Sequence, residues 1–482
     1  MLRRFPVVAL VSLGVLLAPL AHAEQPLSDI VKVPRPEKGE YMGLYLKGQK
    51  IGYMYSHVTL SPAKDAVISV NEMHFKAKVG ANAISDRMMK ETRIYESKPG
   101  GRLLSFEMEQ KGDGGDQLLQ GTAMPNGIRV VRKKEGQPNE VRMLPPSKEV
   151  VEDADQARVA LKRNAKVIGT ITDSTDLEQY GVTTTPLGTE TRVVAGVSAK
   201  LRKVSTLSEK EKVPAEVWLD EKGRMLEVHY GPMMSAFLEA EDVAKRIDVV
   251  EVFSLTRVQL PKPPPERGVS VPGMLTLKVK GVPKKFWIDS YRQKWKAIDE
   301  ETAEVTISAT APLKLQTRPL LDPNGGKNLK ATIAVESDNP EIIKLAQQIV
   351  GKEKDAWKSA QLINEWVNKK LIKDYGASSD NATGVLAQMK GDCTEHSLLS
   401  VALLRAVGIP AKRVDGLVYL MNDDKVPALY WHEWVEAYVG EWTQLDPTFG
   451  QNIAHPARLA VGEESSAEIT PLIGSMTVIE VK

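Results

Sequence analysis

The chain holds one cysteine, Cys393, and downstream of it His432 and Asp446 supply, in order, the three group types of a thiol acyl-transfer site. The thiolate is the nucleophile, an imidazole takes or gives the proton, and a carboxylate orients the ring. Around the thiol, Asp392 stands at a helix N-cap position with Glu395 three residues on, a capping-box pattern, ahead of the apolar Leu398, Leu399, Ala402, Leu403, Ala406 and Val407. A helix is therefore expected to begin beside Cys393 and to stop at Gly408, with Pro410 preventing its resumption. At that position the helix macrodipole is expected to lower the thiol pKa. Gly391 is expected to let a substrate carbonyl approach the backbone, and first-turn N–H groups to stabilise an oxyanion.

Two histidines compete to be the base. His396 shares the helix with Cys393 one turn on, where an imidazole has poor access to the sulfur, so it reads as a supporting or packing residue. His432 lies in Tyr430–Val439, an aromatic and β-branched run that reads as a strand. Gly440-Glu441 turns the chain into a second strand, Trp442–Asp446, stopped by Pro447. With a two-residue loop Asp446 falls opposite Val435, on the wrong face; a three-residue loop or one bulge puts it on the face of His432 and Trp434. That irregularity is the expectation. Trp431, Trp434 and Trp442 are candidate cleft walls, with ordinary core packing as the other reading. A metal hydrolase is disfavoured because Glu436 stands where a second histidine would complete H-E-x-x-H, and no metal or cofactor is expected.

At 482 residues, more than one core is needed. Arg3 and Arg4, the apolar run Val7–Leu20 and Ala21-His22-Ala23 read as a cleavable signal peptide, so that the mature chain starts at Glu24 and is periplasmic or secreted. No later run is long enough to cross a membrane. Lone thiols are at risk in oxidising compartments, which argues that Cys393 is retained for its chemistry. The basic head accounts for the net charge of +2, so no electrostatic case exists for nucleic acid or for anionic membrane surfaces. Expected partners are a protein or peptide substrate and other envelope proteins.

The elements that must position the site divide the chain into a signal at 1–23, a β-rich N-terminal domain at 24–258, a Pro-rich linker at 259–272, a small β module at 273–335 and a domain at 336–482. Alternating runs from Tyr41 to about Leu255, with a polar turn at Lys47–Lys50, predict a large antiparallel sheet. Helices are expected there only at Val150–Asn164 and Met234–Glu241. From Asn339 the spacing turns helical, with Pro340 at a first helical position and Ala356, Ala360, Ile363, Val367 and Leu371 three or four apart.

Taken together, Gly391-Asp-Cys-Thr-Glu-His396, Leu403-Leu-Arg-Ala-Val-Gly-Ile-Pro-Ala-Lys-Arg413, Trp431-His-Glu-Trp-Val-Glu-Ala-Tyr438 and Trp442-Thr-Gln-Leu-Asp-Pro-Thr448 resemble the transglutaminase-like family over about residues 340 to 460. The resemblance implies an α+β fold, a papain-like/transglutaminase-like core behind the β-rich region. It also implies Cys393 as nucleophile, His432 as base and Asp446 as orienter, in a transglutaminase, deamidase or peptidase. It carries no calcium dependence, since no calcium-binding segment is recognisable. A non-catalytic scaffold or binding protein on the same fold remains the other reading.

Overall fold

The computed structural model describes residues 26–79, 83–112, 115–134, 139–174, 177–194, 197–211, 213–264, 273–375, 379–422, 424–463 and 469–482. The signal peptide expected at 1–23 and most of the expected linker lie outside the described residues. No described helix is long and apolar enough to cross a membrane.

The N-terminal region is one antiparallel sheet of 14 strands. Its first half is β1 (Glu40–Leu46), β2 (Gln49–Leu60), β3 (Ala66–Val79), β4 (Ala83–Glu96), β5 (Leu103–Gly112), β6 (Gln117–Met124), β7 (Gly127–Lys134) and β8 (Glu140–Leu144). After α1 (Gln156–Arg163) come β9 (Val167–Thr172), β10 (Gln179–Val194), β11 (Val197–Ser208), β12 (Ala215–Leu219), β13 (Met225–Tyr230) and β14 (Met234–Glu239). Each strand pairs with the next along both halves, and β1 closes onto β14, so the first strand lies mid-sheet and β8 and β9 are its edges. The β1–β2 turn uses Lys47 and Gly48, both at positive φ, which is the twist a two-residue hairpin demands.

One expectation fails here. Met234–Glu239 is a strand, hydrogen-bonded to β1 and β13, and only Glu241–Ala244 (α2) is helical. Pairing on both sides outweighs the local helical preference of so short a segment.

Beyond the N-terminal sheet, β15 (Val258–Gln259) pairs with the strand that carries His432. A four-stranded sheet follows from β16 (Gly273–Lys280), β17 (Gln293–Ala297) and β18 (Thr302–Ala309). Its fourth strand is β25 (Thr477–Val481), nearly 170 residues beyond β18, which pairs with β16. The helical layer comprises α3 (Pro340–Val350), α4 (Ala356–Lys370), α5 (Ala382–Gln388) and α6 (Cys393–Ala406), with the two-residue strands β19 (Ile372–Lys373) and β20 (Lys390–Gly391) in parallel between them. Then come β21 (Ala411–Met421), β22 (Pro427–Tyr438), β23 (Trp442–Leu445), β24 (Arg458–Gly462) and α7 (Ile469–Ser475).

Helix α6 is buried almost all round, as expected of a helix apolar on every side. Its Leu398, Leu399, Val401, Leu403 and Leu404 share a core with α3, α4 and Val435 and Ala437 of β22. A second core runs continuously from Met42 and Leu44 through Leu277 and Ile307 to Leu417 and Leu429, joining the N-terminal sheet, the small sheet and the face of β21–β22. The N-terminal sheet also grips the loop before α5, where Asp380 accepts from Arg87 (2.7 Å), Gln110 (3.0 Å) and Gln117 (2.9 Å).

Candidate active site

Asp392 caps α6: its carboxylate accepts from the Thr394 N–H at 2.8 Å, and Glu395 reaches back to the Asp392 N–H at 2.8 Å. The capping box predicted from spacing is therefore formed. It also claims the N–H groups of Thr394 and Glu395, while the Asp392 carbonyl takes that of His396, so the only unclaimed first-turn donor among the described residues is Cys393's own N–H. The expected array of free donors is not present. Gly391 likewise serves packing: a Cβ there would lie 2.2 Å from the Glu395 Cβ. Its place is fixed by the capping glutamate, which also accepts from the Ser379 N–H at 3.0 Å.

Strand β22 presents a gap to this helix. Along one edge Ala428 and Leu429 pair with β15, and Val435–Tyr438 pair with β23, leaving the stretch between them unpaired. The start of α6 packs there. Ser397 donates to the Glu433 carbonyl at 3.1 Å, and the Glu433 N–H faces the Cys393 thiol. Cys393 thus meets the backbone immediately next to His432, and backbone groups that would be orphaned in the gap are used.

The hairpin after His432 has the predicted irregularity. Tyr438 pairs with Trp442 across a three-residue loop, Val439–Glu441, with Gly440 at φ +121°. Val435 then pairs with Leu445, so the next residue, Asp446, falls on the face of His432 and Trp434. His432 Nε2 lies 2.8 Å from Asp446 Oδ2. The carboxylate also accepts from Arg458 Nε at 2.7 Å and the Phe449 N–H at 3.1 Å, and the residue is fully buried. Burial would raise its pKa, but the Arg458 charge and the imidazole hold it well below the usual carboxylate range. With Nε2 directed at a carboxylate, Nδ1 is the ring nitrogen left for chemistry. Trp434 stacks on the imidazole (centroids 6.0 Å apart) and Phe449 meets it edge-on (5.2 Å).

The thiol departs from expectation. Cys393 is 8% exposed, and burial, followed by the charges of Asp392 and Glu433, pushes its pKa well above the free-thiol value, with the Glu433 N–H only partly offsetting this. Desolvation of a thiolate outweighs the helix-end field. The carboxyls beside it are affected too: burial pushes Glu433 well up, and burial with the Asp392 charge pushes Glu395 up to about 8.

The structure places three other candidates as follows. His396 is fully buried; its Nδ1 donates to the Asp392 carbonyl at 2.6 Å, its Nε2 has no hydrogen-bond partner, and burial lowers its pKa. It supports the cap and does not engage Asp446. Trp431 points to the opposite face from His432, into the core shared with the N-terminal sheet. Trp442, opposite Tyr438, is about 20 Å along the strand from His432. It lines a separate cavity of about 950 Å³ with Tyr291, Lys412 and Glu436.

The residues that sequence reasoning missed are Arg458, Glu433 and Tyr375. Arg458 sits on β24, with no spacing rule tying it to Asp446. Glu433 adjoins His432, where its only sequence signal is the incomplete H-E-x-x-H pattern. Tyr375 is raised by burial and then by the Cys393 charge, and its ring meets Phe253 of the N-terminal region edge-on at 5.6 Å. Among the described residues no cluster of three or more His, Cys, Asp or Glu is arranged to hold a metal.

Comparison with known proteins accords with this architecture. Residues 343–447 match the model of the transglutaminase-like superfamily. An uncharacterised Mycobacterium leprae protein is 25% identical over 183 residues, 37% of this chain and 64% of that protein. An uncharacterised Haemophilus influenzae protein is 36% identical over 95 residues, 18% of this chain and 25% of that one. The chain thus spans less than two thirds of the length of either curated relative. A solved candidate cysteine protease from Cytophaga hutchinsonii aligns with a TM-score of 0.30 and 16% identity, covering 43% of this chain and 85% of that one. The chain therefore combines a large antiparallel β-rich N-terminal region with a transglutaminase-like domain at residues 343–447.

Proposed function

We propose that the protein is a thiol enzyme acting on protein or peptide carboxamides through Cys393, His432 and Asp446, with an acyl-thioester intermediate. The reading rests on one observation above all: His432 Nε2 held at 2.8 Å by a buried, arginine-backed carboxylate, on the strand whose next N–H faces the only thiol. Asp446 fixes the ring so that Nδ1 is the base. Because burial disfavours a standing thiolate, the thiol proton passes to Nδ1 as sulfur attacks the carbonyl carbon. The C–N bond then breaks, the imidazolium proton leaves with the amine, and the acyl group stays on sulfur. Water or a second amine, deprotonated by Nδ1, cleaves the thioester and returns the proton to sulfur. Burial raises the pKa of both Glu433 and Glu395, which lessens the negative charge that the attacking sulfur faces.

The chain is proposed to work outside the cytoplasm after loss of residues 1–23, with domain boundaries at 258, 272 and 335. The buried thiol favours a second reading, a non-catalytic envelope scaffold. Incubation of envelope extracts with wild type and Cys393→Ala, followed by intact-mass analysis, separates the two. The enzymatic reading expects acyl adducts on wild type that hydroxylamine removes, absent from the alanine variant. No adduct on either protein, with no amide turnover by either, would sink it.

A further inference from the structure

A second feature lies outside the transglutaminase-like domain. Met42, Met54, Met73 and Met89 occupy directly opposed positions on β1, β2, β3 and β4: Met42 pairs with Met54, Met54 with Met73, and Met73 with Met89. Opposed residues share a face, so four thioethers form a row across four neighbouring strands, each step about 4.5–5.5 Å between Cα atoms. All four line one cavity of about 340 Å³, which Met108 and Met225 also line.

Core filling is the plain alternative, and the exposure of the row weighs against it; its surroundings weigh against two other occupants. Met73 is 39% exposed and Met54 and Met89 on either side of it are only half-buried, while Met42 is buried, so the row opens to the surface at Met73 and deepens toward Met42. The adjoining row on the same face is polar, Glu40, Ser56, Asn71 and Glu91 in register, which is unlike a greasy slot for an acyl chain. Its two carboxylates are already engaged, Glu40 by Arg158 and Glu91 by Arg93, and a third on the cavity wall, Glu72, accepts from Tyr53, so none stands free to ligate a divalent ion. Neutral, polarisable sulfur on a three-torsion arm suits a soft monovalent ion, whereas hard cations require oxygen ligands.

We infer that the methionine row on β1–β4 is a binding site for a soft monovalent metal ion of the Cu(I) or Ag(I) type, held by thioethers. Two or three sulfurs from adjacent strands converge on one ion, which enters past Met73 and passes inward toward Met42.

Ag(I) titration by calorimetry tests this on the whole chain carrying Cys393→Ala, which removes the competing thiol. One equivalent should bind, and Met54→Leu/Met73→Leu/Met89→Leu in the same background, of similar volume and with unchanged near-ultraviolet dichroism, should bind none. Should the triple variant fail to fold, Met73→Leu alone, at the most exposed position, should measurably weaken binding. Equal uptake by parent and leucine variants, or no uptake by the parent, overturns the assignment.

Discussion

Asp446→Asn keeps the shape of the side chain and removes its charge, which isolates what the carboxylate does. Asp446 is fully buried and Arg458 is 3% exposed, their atoms 2.7 Å apart. Arg292, also buried, lies close enough to Arg458 to feel its charge. Neutralising the carboxylate therefore leaves a guanidinium without its anion in a site that already holds another. Breaking a buried pair from one side costs about 3–5 kcal/mol. Urea unfolding followed by tryptophan emission should show a loss of that size. Replacing both partners, Asp446→Asn with Arg458→Met, should be less destabilising than Asp446→Asn alone, because no uncompensated charge remains. The pH dependence carries the same signature. The folded carboxyl titrates below its unfolded value of about 3.9, so its contribution is whole above that pH and is lost as pH falls through the lower folded value. The gap between wild type and Asp446→Asn should stay flat from pH 7 to about 4.5 and narrow only in stronger acid. A loss under about 1 kcal/mol, strict additivity in the double variant, or a gap that closes near pH 6 would refute the argument that this ion pair is buried and mutually dependent.

Iodoacetamide should alkylate folded Cys393 with a pH midpoint above the free-thiol value of about 8.5, since burial disfavours the thiolate; a midpoint below 7 would contradict this. For Glu395, whose folded pKa of about 8 lies above the unfolded value, ionisation costs stability as pH rises between the two. Glu395→Gln should therefore gain on wild type in denaturation between pH 5 and pH 8, and a constant difference would count against it. Gly391→Ala forces a Cβ into Glu395 and should cost about 1–3 kcal/mol; a neutral result in thermal unfolding would mean that the capping glutamate moves freely. Trp434→Ala, deleting a fully buried ring, should cost about 3–5 kcal/mol in urea, whereas Trp442→Ala should leave Cys393 alkylation rates unchanged.

What could be read from sequence was short-range. The cap at Asp392 and Glu395 spans one helical turn, so residue types alone fix it. The three-residue loop follows from the period-two pleat once His432 and Asp446 are required to share a face. Features that depend on distant segments were not legible. Arg458 reaches Asp446 only because β24 lies in the same sheet. The burial of Cys393 depends on how α6 fills the gap in β22, and it reverses the expected direction of the thiol pKa. Met234–Glu239 became a strand because β1, nearly 200 residues earlier, lies beside it. The methionine row is likewise invisible until four strands are aligned, since its members stand 12 to 19 residues apart in the chain.

The pairing of β25 with β16 has a consequence for biogenesis. The partners of Leu277 and Val279 are Val481 and Val478, and Lys482 exchanges backbone hydrogen bonds with Thr276. A nascent polypeptide emerging N-terminus first cannot fasten this seam until residues 477–482 have left the ribosome. Until then one margin of the 273–280 ribbon stays open to neighbouring copies, a hazard that edge strands are known to carry. Nicks that detach residues 477–482 should consequently raise the yield of insoluble material.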